Sequence, residues 1–385
     1  MAEGGRRRPP PPPPPPGRVS VARLALEALR WGAGTWLLWR IATCAEGAGR
    51  AGGGTVVIPA RDEEENLPRL LKSLADLNPR PAGVIVVDDG SRDATAEVAR
   101  SVGATVVAAG PLPAGWTGKS WACAKGAEAA GGPRAGTLVF LDADTFLAPG
   151  GLSRILAEHD RRGGLVSVQP FHATERPYEA LSAFFNLVSM MGVGAFTPRR
   201  HARPTGAFGP CLVCSTADYA TAGGHAHPDV RRRVVEDVAL AQRFAGVGLP
   251  VSVLAGRGTI AFRMYPGGIR QLVEGWTKNF ATGATSTRPL TFVLISLWLS
   301  GCISAAWSLP APAAAAVYLA YAGQLAWMLR RIGRFGWWPA LLYPIPLAFF
   351  LVLFARSLVL THLRGEVRWR GRTISTRSSR PTRTG

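Results

Sequence analysis

The stretch "LVFLDADTFLAPG", residues 138–150, joins a fully apolar strand to two closely spaced carboxylates. Residues 138–141 are all apolar, which is typical of a central strand covered on both faces of a parallel sheet. In α/β proteins, ligands bind at the carboxyl ends of such strands. Asp142 and Asp144 follow there, and in an extended chain their side chains point to one side. They indicate either a polar turn or a clamp for a divalent cation, because adjacent like charges repel without one.

Short apolar segments alternate with helical patterns on the N-terminal side of this stretch. Predicted strands cover residues 55–60, 83–91, 104–110 and 137–144, and predicted helices cover residues 64–77 and 93–102. Such alternation is typical of right-handed βαβ units. The sequence therefore predicts an α/β fold with a mostly parallel sheet flanked by helices.

The charge of this 385-residue chain is strongly positive, at +19, but only four of its 44 basic residues are lysines. Arginine dominance together with abundant Ala, Gly and Pro indicates coding bias, and we find no motif that reads nucleic acid. We therefore expect no nucleic-acid partner, and the charge better fits segments that flank a membrane. The five cysteines are scattered, which argues against a disulfide framework.

The N-terminal segments differ in composition from the α/β region. Residues 1–18 are basic and then almost pure proline, so they predict a disordered or polyproline tail. Residues 19–48 carry an apolar pattern interrupted by charges and rich in tryptophan. This pattern predicts either an interfacial helix or a membrane-anchor helix.

A membrane domain is predicted for residues 289–363, followed by a basic tail over 364–385. Apolar spans cover residues 290–309, 311–329 and 338–360, and three in succession favour insertion into a bilayer. The basic flanks cannot all face the cytoplasm after three full crossings, so we expect the third span to be broken at Pro344 and Pro346. We expect a multi-pass protein of the cell membrane with a cytoplasmic catalytic domain.

Five motifs in order make the chain resemble the family-2 inverting glycosyltransferases. They are "VVIPARDEEENL" (56–67), "VIVVDDGSRDAT" (84–95), "LVFLDADT" (138–145), "VVEDVALAQR" (234–243) and "RQLVEGWTKNF" (270–280). The resemblance covers residues 54–285 and implies a nucleotide-sugar-binding catalytic domain of the GT-A type. Residues 112–127 and 219–241 resemble the bacterial members that glycosylate carotenoid acids, of the diaponeurosporenoate type, or accompany hopanoid synthesis.

The resemblance implies a donor site at the strand ends. The nucleotide-sugar-binding candidates share a position beside these strands or in the loops that follow: Pro59, Ala60, Arg61, Glu63, Asp88, Asp89, Lys119 and Asp142. A departing pyrophosphate needs its charge offset, and carboxylates with Mg²⁺ or Mn²⁺ provide this. The resemblance makes Asp144 the more direct metal ligand, with Asp142 beside it.

Inverting transfer also needs a base that removes a proton from the acceptor. The resemblance assigns this role to Asp237, with Glu236 as the alternative. We expect His225, Gln271 and Trp276 on the acceptor or pyrophosphate side. The last motif departs from the family's QxxRW, because Glu274 stands where the arginine would be, and this disfavours a processive polysaccharide synthase.

We therefore predict a membrane-attached, metal-dependent hexosyltransferase that moves one sugar from a nucleotide diphosphate sugar to a lipid acceptor. The lipid acceptor could be a carotenoid acid or a hopanoid. The first alternative is transfer to a polyprenyl phosphate gripped by the basic segment 229–234. The second is a non-catalytic membrane scaffold or sugar-binding protein, against which the aspartates at 142, 144 and 237 argue.

Overall fold

The computed structural model describes residues 21–46, 49–50, 53–132, 136–199, 203–284, 287–307, 312–364, 366–369 and 372–375. The predicted tail over residues 1–18 and the final residues 376–385 lie outside these ranges. The described strands are, in order, β1 (Thr55–Ala60), β2 (Gly83–Asp88), β3 (Thr105–Ala108), β4 (Thr137–Leu141), β5 (Thr145–Leu147), β6 (Leu165–Gln169), β7 (Phe171–His172), β8 (Cys211–Ser215), β9 (Val251–Ala255), β10 (Ile260–Phe262), β11 (Glu366–Trp369) and β12 (Arg372–Ser375).

The described α-helices precede, separate and follow these strands. They are α1 (Val21–Leu37), α2 (Leu67–Ala75), α3 (Thr95–Ser101), α4 (Gly118–Ala129), α5 (Gly151–Arg162), α6 (Ala183–Val193), α7 (Thr216–Ala222), α8 (Pro228–Arg231), α9 (Glu236–Gly246), α10 (Ile269–Ala284), α11 (Pro289–Trp307), α12 (Pro312–Ile332), α13 (Trp338–Leu341) and α14 (Pro344–Arg364).

The main sheet has seven strands in the order β3-β2-β1-β4-β8-β6-β9. β1 pairs in parallel with β2 and β4, and β2 pairs in parallel with β3. β8 runs antiparallel to both β4 and β6, while β6 and β9 are parallel. The predicted α/β class with a mostly parallel sheet is confirmed.

Helices cover both faces of this sheet. Val139 of β4 packs in a buried cluster with leucines of α2 and α5. Its neighbour Phe140 packs in another cluster with residues of α4 and α9. Alternate side chains of a strand point to opposite faces, so a strand covered on both sides must be apolar throughout. All five residues of β4 are buried accordingly.

A small sheet in the order β5-β10-β7 lies beside the carboxyl end of β4. β5 begins directly after Asp144, and its Thr145 pairs with Phe262 of β10. The backbone N–H of the next residue, Arg263, donates to the carbonyl of Asp144 at 3.2 Å. The small sheet thus fixes the backbone at the end of the aspartate pair.

The helix α1 packs against α11 and α12 of the C-terminal helical layer. Glu27 of α1 accepts hydrogen bonds from Ser304 at 2.8 Å and from Tyr321 at 3.4 Å. Gln324 of α12 donates to the carbonyl of Trp31 at 2.7 Å and accepts from Trp298 at 2.8 Å. Buried polar groups need such partners, so these hydrogen bonds stabilise the packing of α1 on α11 and α12.

The predicted apolar spans correspond to α11, α12 and the pair α13–α14. Within the described residues, α11 alone is long and apolar enough to cross a bilayer, by length and composition. α14 starts at Pro344 and continues through Pro346 to Arg364. Proline is tolerated in the first turn of a helix, where its missing N–H has no intrahelical partner. The expected break is therefore the junction before α14, and no break interrupts α14 itself.

Candidate active site

A cavity of about 580 Å³ opens at the carboxyl ends of β1 and β4 and extends toward the helical layer. This volume is within the range of small-molecule sites. Residues of β1, the loop after β4, α4, α9 and α10 contribute to its wall. The cavity therefore gathers side chains that are far apart in the sequence.

The loops after β1 and β2 form one lip of the cavity. Pro59, Ala60, Arg61 and Glu63 line it from the first loop, and Asp89 lines it from the second. The Arg61 guanidinium lies 3.7 Å from the Asp89 carboxylate and donates to the Asp89 carbonyl at 3.3 Å. A buried carboxylate beside a cation can accept hydrogen bonds from a bound polar ligand.

Hydrogen bonds between the two loops hold this lip in shape. Ser91 Oγ accepts from the N–H of Asp62 at 3.1 Å, and the Asp62 carboxylate accepts from the N–H of Arg92 at 2.8 Å. Thr95 Oγ1 accepts from the N–H of Glu63 at 2.8 Å. The acidic run after β1 therefore braces the lip as well as lining it.

Asp88, which was expected in the nucleotide pocket, does not line the cavity. Its carboxylate accepts from the N–H of Ser91 at 2.9 Å and closes the turn after β2. Successive side chains at a strand end point in opposite directions, so Asp89 faces the cavity and Asp88 faces the turn. The structure places Asp89 alone of this pair in the cavity wall.

Asp142 and Asp144 lie in a turn and not in an extended segment. The Asp142 carbonyl accepts from the N–H of Thr145 at 3.1 Å and from its hydroxyl at 2.7 Å. Ala143 between them is buried, at 3% exposure, while both aspartates line the cavity. The two aspartates therefore form a polar turn and also line the cavity.

Lys119, near the start of α4, connects two acidic parts of the cavity. Its Nζ lies 2.7 Å from Oδ1 of Asp142 and 3.0 Å from Oε1 of Glu236. Burial opposes the charged form, but these carboxylates outweigh it and raise the pKa of Lys119 well above its usual value. Lys119 is therefore a fixed positive charge between the aspartate pair and the start of α9.

Asp237 is the second residue of α9 and follows Glu236, the residue that pairs with Lys119. Its Oδ2 accepts from the N–H of Gly209 at 2.6 Å, and its Oδ1 accepts from its neighbour Val238 at 2.8 Å. Burial, reinforced by the adjacent Glu236 carboxylate, raises the pKa of Asp237 to about 7. A carboxylate with such a pKa can accept a proton near neutral pH.

Position 209 has little room for a side chain. A Cβ atom there would lie 3.1 Å from both Oδ2 of Asp237 and Nζ of Lys119. The loop is fixed from behind, because the N–H of Phe208 donates to Ser167 Oγ at 2.7 Å and the carbonyl of Pro210 accepts from Asp142 at 3.1 Å. The loop thus connects the candidate base to the aspartate pair through backbone groups.

The donor atoms of the aspartate pair suit a divalent cation. Carboxylate oxygens are preferred ligands of Mg²⁺ and Mn²⁺, and both aspartates face one cavity. Within the described ranges, no three His, Cys, Asp or Glu side chains are grouped to hold a metal. A cation here would need phosphate oxygens or water as further ligands.

The acceptor-side candidates fall in different environments. Gln271 and Trp276 of α10 line the cavity. The Trp276 indole donates to Ser182 at 3.0 Å and stacks on Phe185 with ring centroids 4.7 Å apart. Gln271 accepts from the N–H of Gly267 at 2.9 Å. Both side chains are held by local contacts that fix their orientation.

His225 lies in the core and outside the cavity wall, contrary to the expected place. It is 1% exposed, and its Nδ1 is 2.9 Å from the Tyr219 hydroxyl. Its ring packs against Phe140 with centroids 5.0 Å apart. Burial, with the charge of Lys119, lowers the pKa of His225 to about 3, so it is neutral at physiological pH. Its surroundings are those of a structural histidine.

Arg263 lines the cavity beside Asp144 but carried no signal in the sequence. Its guanidinium binds the fully buried Glu179 at 2.7 Å and Glu175 at 2.7 Å. Glu179 also accepts from the backbone N–H groups of Glu175 and Arg176, at 2.6 and 3.3 Å. Because this partnership joins residues 84 positions apart, no local pattern could reveal it.

Known proteins similar to this chain share its motifs and its fold. Residues 55–201 match the family described as Glycosyl transferase family 2. Over 335 residues, the chain is 38% identical to the 4,4'-diaponeurosporenoate glycosyltransferases of Staphylococcus aureus strains USA300 and NCTC 8325 / PS 47, covering 83% of this chain and 88% of each relative.

A solved structure with the same fold is the mannosyltransferase PcManGT of Pyrobaculum calidifontis, in complex with GDP-Man and Mn²⁺. It is 18% identical, covers 87% of this chain and 97% of its own, and superposes with a TM-score of 0.50. The relatives, the motifs and the shared fold agree, and the chain belongs to glycosyl transferase family 2.

Proposed function

We propose that this glycosyltransferase moves one sugar from a nucleotide diphosphate sugar to a long-chain lipid acid of the carotenoid type, with inversion. The observation that carries the proposal is the cavity that Asp237 shares with Asp142 and Asp144. In it, Lys119 pairs with Asp142 and with Glu236, the neighbour of Asp237. The named activity of the 38% identical relatives supports the acceptor class.

Donor binding is assigned to the lip formed by the loops after β1 and β2. Asp89 and Arg61 would contact the nucleoside, with Pro59, Ala60 and Glu63 completing the wall. The diphosphate would then lie toward Lys119, where a fixed cation offsets its charge. Asp142 keeps that lysine oriented through contacts of 2.7 and 3.0 Å.

Asp237 is assigned as the general base. An acceptor carboxylic acid that leaves water for a partly apolar cavity is held more readily in its neutral form. A base whose pKa is about 7 can take that proton. The acceptor oxygen then forms a bond to the anomeric carbon while the bond from that carbon to the diphosphate oxygen breaks. The nucleoside diphosphate leaves from the opposite face, with Lys119 beside its new charge.

A divalent cation, Mg²⁺ or Mn²⁺, is proposed at Asp144, with Asp142 beside it. When bound, it would act as a Lewis acid that stabilises the leaving diphosphate. The carboxylate chemistry of the pair supports this assignment. Arg263 and the small sheet would keep the backbone of Asp144 in place.

We further propose attachment to the cell membrane through several helices, with the catalytic domain in the cytoplasm. The charge-free helix α11 supports attachment, as do large apolar side chains exposed on α1, α11, α12 and α14. Arg288 and the link from Arg330 to Arg334 flank these helices. Basic flanks favour the cytoplasmic side.

The test compares lipid extracts from cells with the gene, without it, and with Asp237→Asn in its place. Mass spectrometry should reveal a glycosylated acid that is present only with the wild-type gene. A purified enzyme offered polyprenyl phosphate in parallel should leave it unlabelled. Unchanged lipid extracts, or labelling of polyprenyl phosphate alone, would contradict the proposed acceptor.

A further inference from the structure

The cavity continues beyond its polar end into an apolar arm between three helices. We define the apolar arm by Val188 and Val193 of α6, Phe292 and Leu299 of α11, and Phe350 and Phe354 of α14. All six line the same cavity as Asp237. The polar end contains the candidate base and the residues assigned to the sugar donor. The arm therefore suits an apolar part of a ligand.

The spacing along α11 gives the arm its direction. Phe292, Ser296 and Leu299 all line the cavity, and positions i, i+4 and i+7 share one face of a helix. At a rise of 1.5 Å per residue, this face extends for about 10 Å. The arm therefore extends over at least about two turns of α11, a length that suits part of a linear chain.

One end of the arm reaches the surface at α11. Phe292 lines the cavity and is still 50% exposed. Its neighbours Leu290 and Val293 are also exposed apolar residues, and α11 contains no charged residue. Such a surface is costly in water but suited to a lipid environment. A chain could thus reach the arm from the lipid side.

Two rings on α14 line the arm in parallel. The rings of Phe350 and Phe354 are stacked with their planes within 5° and their centroids 5.9 Å apart. Aromatic rings make favourable contacts with another π-system. Contact with these rings therefore favours a planar, conjugated chain over a saturated chain, which samples bent conformers.

We infer that the apolar arm binds the hydrocarbon chain of the acceptor, which enters beside Phe292 and presents its acid group to Asp237. The inference rests on the proposed function for the identity of the acceptor's acid group. It adds that chain recognition is separate from sugar transfer and selects planar chains.

The test measures binding of all-trans-retinoic acid, stearic acid and hexanoic acid to the detergent-solubilised full-length protein. Ser296→Trp would fill the arm, and Val293→Trp places the same ring on the same helix outside the cavity wall. We expect Ser296→Trp to weaken retinoic acid binding about tenfold or more. Val293→Trp should leave the affinity within about twofold. Hexanoic acid should bind the wild type much more weakly than retinoic acid.

A second variant keeps the inference testable if Ser296→Trp does not fold, as judged by thermal unfolding. Phe354→Ala removes one of the two parallel rings, so retinoic acid should lose more affinity than stearic acid. Equal effects of Ser296→Trp and Val293→Trp, or equal losses for the two long acids in Phe354→Ala, would overturn the inference.

Turnover separates this inference from the proposed function. Arm-dependent binding of retinoic acid without glycosylation of any lipid acid would overturn the proposed function and leave the chain site standing. Glycosylation of lipid acids that is indifferent to Ser296→Trp and Phe354→Ala would overturn the chain site alone.

Discussion

The backbone N–H of Gly209 donates to Oδ2 of Asp237 at 2.6 Å. This bond holds the candidate base in one orientation, and the following residue, Pro210, accepts from the N–H of Asp142. The loop that contains Gly209 and Pro210 therefore joins the start of α9 to the turn after β4 through backbone groups. A small displacement of either loop would change the geometry of both carboxylates.

Replacing the candidate base should remove catalysis and spare donor binding. Asp237→Asn keeps the shape of the side chain but cannot accept a proton, so we expect kcat to fall by about 10²–10⁴-fold. Radiolabelled sugar transfer measures the loss, and calorimetry measures nucleotide binding. Asp229→Asn, an exposed aspartate on α8, serves as the control. A rate within tenfold of wild type would exclude Asp237 as the base.

The pH profile should reflect the raised pKa of Asp237. The carboxyl is protonated below about 7, so kcat/KM should rise with pH through that value and level off above it. Glu236→Gln removes a negative charge that contributes to the raised pKa, and the rising limb should then move to lower pH. Measurement of kcat/KM from acid to alkaline pH in both proteins tests this. An unmoved limb would contradict the pairing of these carboxylates.

The raised pKa of Asp237 should also make folding stability decrease as pH rises. A carboxyl whose folded-state pKa exceeds its unfolded value stabilises the fold most below about 4, and this contribution is lost as pH rises toward about 7. Asp237→Asn should flatten the dependence. Chemical denaturation at several pH values provides the comparison, and identical slopes in the two proteins would argue against the buried carboxyl as its source.

Loss of the lysine should disrupt the charge arrangement. Lys119→Met leaves Asp142 and Glu236 without the cation they share, so kcat/KM should fall at least about tenfold. Lys125→Met, on the same helix, is the matched control, because Lys125 pairs only with the exposed Glu128 in the described ion pairs. Steady-state kinetics on both variants decide the matter, and equal effects would refute a specific role for Lys119.

Removal of divalent metal should suppress transfer. Chelation should lower the rate by about 100-fold, with recovery on addition of Mn²⁺ or Mg²⁺, since the cation stabilises the leaving diphosphate. Asp144→Asn should raise the metal concentration needed for half-maximal activity, and Asp142→Asn should do so less because Lys119 already pairs with Asp142. Full activity after exhaustive chelation would show that Lys119 suffices without a metal.

The buried partner of Arg263 should matter for stability. Glu179 is fully buried and binds Arg263 at 2.7 Å, and it also accepts from the N–H groups of Glu175 and Arg176. Glu179→Ala leaves these donors without their acceptor, while Arg263 keeps Glu175, so the variant should cost about 1–3 kcal/mol. Glu97→Ala removes an exposed pair with Arg100 and should cost less than about 1 kcal/mol. Thermal and denaturant unfolding of both variants measure the difference, which should be absent if the Glu179 pair is not structural.

Local patterns located β1 to β4 of the main sheet but gave no prediction for β6 and β9. β1 occupies the predicted residues 55–60, and β4 begins at the predicted Thr137, because short apolar runs between turn signals are typical of strands in a covered sheet. The motifs singled out Asp142, Asp144 and Asp237, all of which line the cavity. The ends of strands and the starts of helices depend on neighbouring residues, so local sequence patterns can predict them.

Contacts between distant segments depend on the tertiary structure. The aspartates at 88 and 89 look equivalent in sequence, yet one closes a turn and the other lines the cavity. His225 was expected beside the acceptor but is enclosed by Phe140 and Tyr219. Likewise, the role of Gly209 follows from the approach of Asp237, which its own neighbours do not encode.

Periodicity and motifs of adjacent residues were enough to predict the fold class, the family and the candidate carboxylates. Three features emerge from the folded chain alone: Lys119 bridges Asp142 and Glu236, α1 packs on the C-terminal helices, and an apolar arm extends from the candidate base. Each of these depends on packing between segments far apart in the chain. The physical reason is that burial and charge pairing are properties of the assembled core, which no local stretch contains.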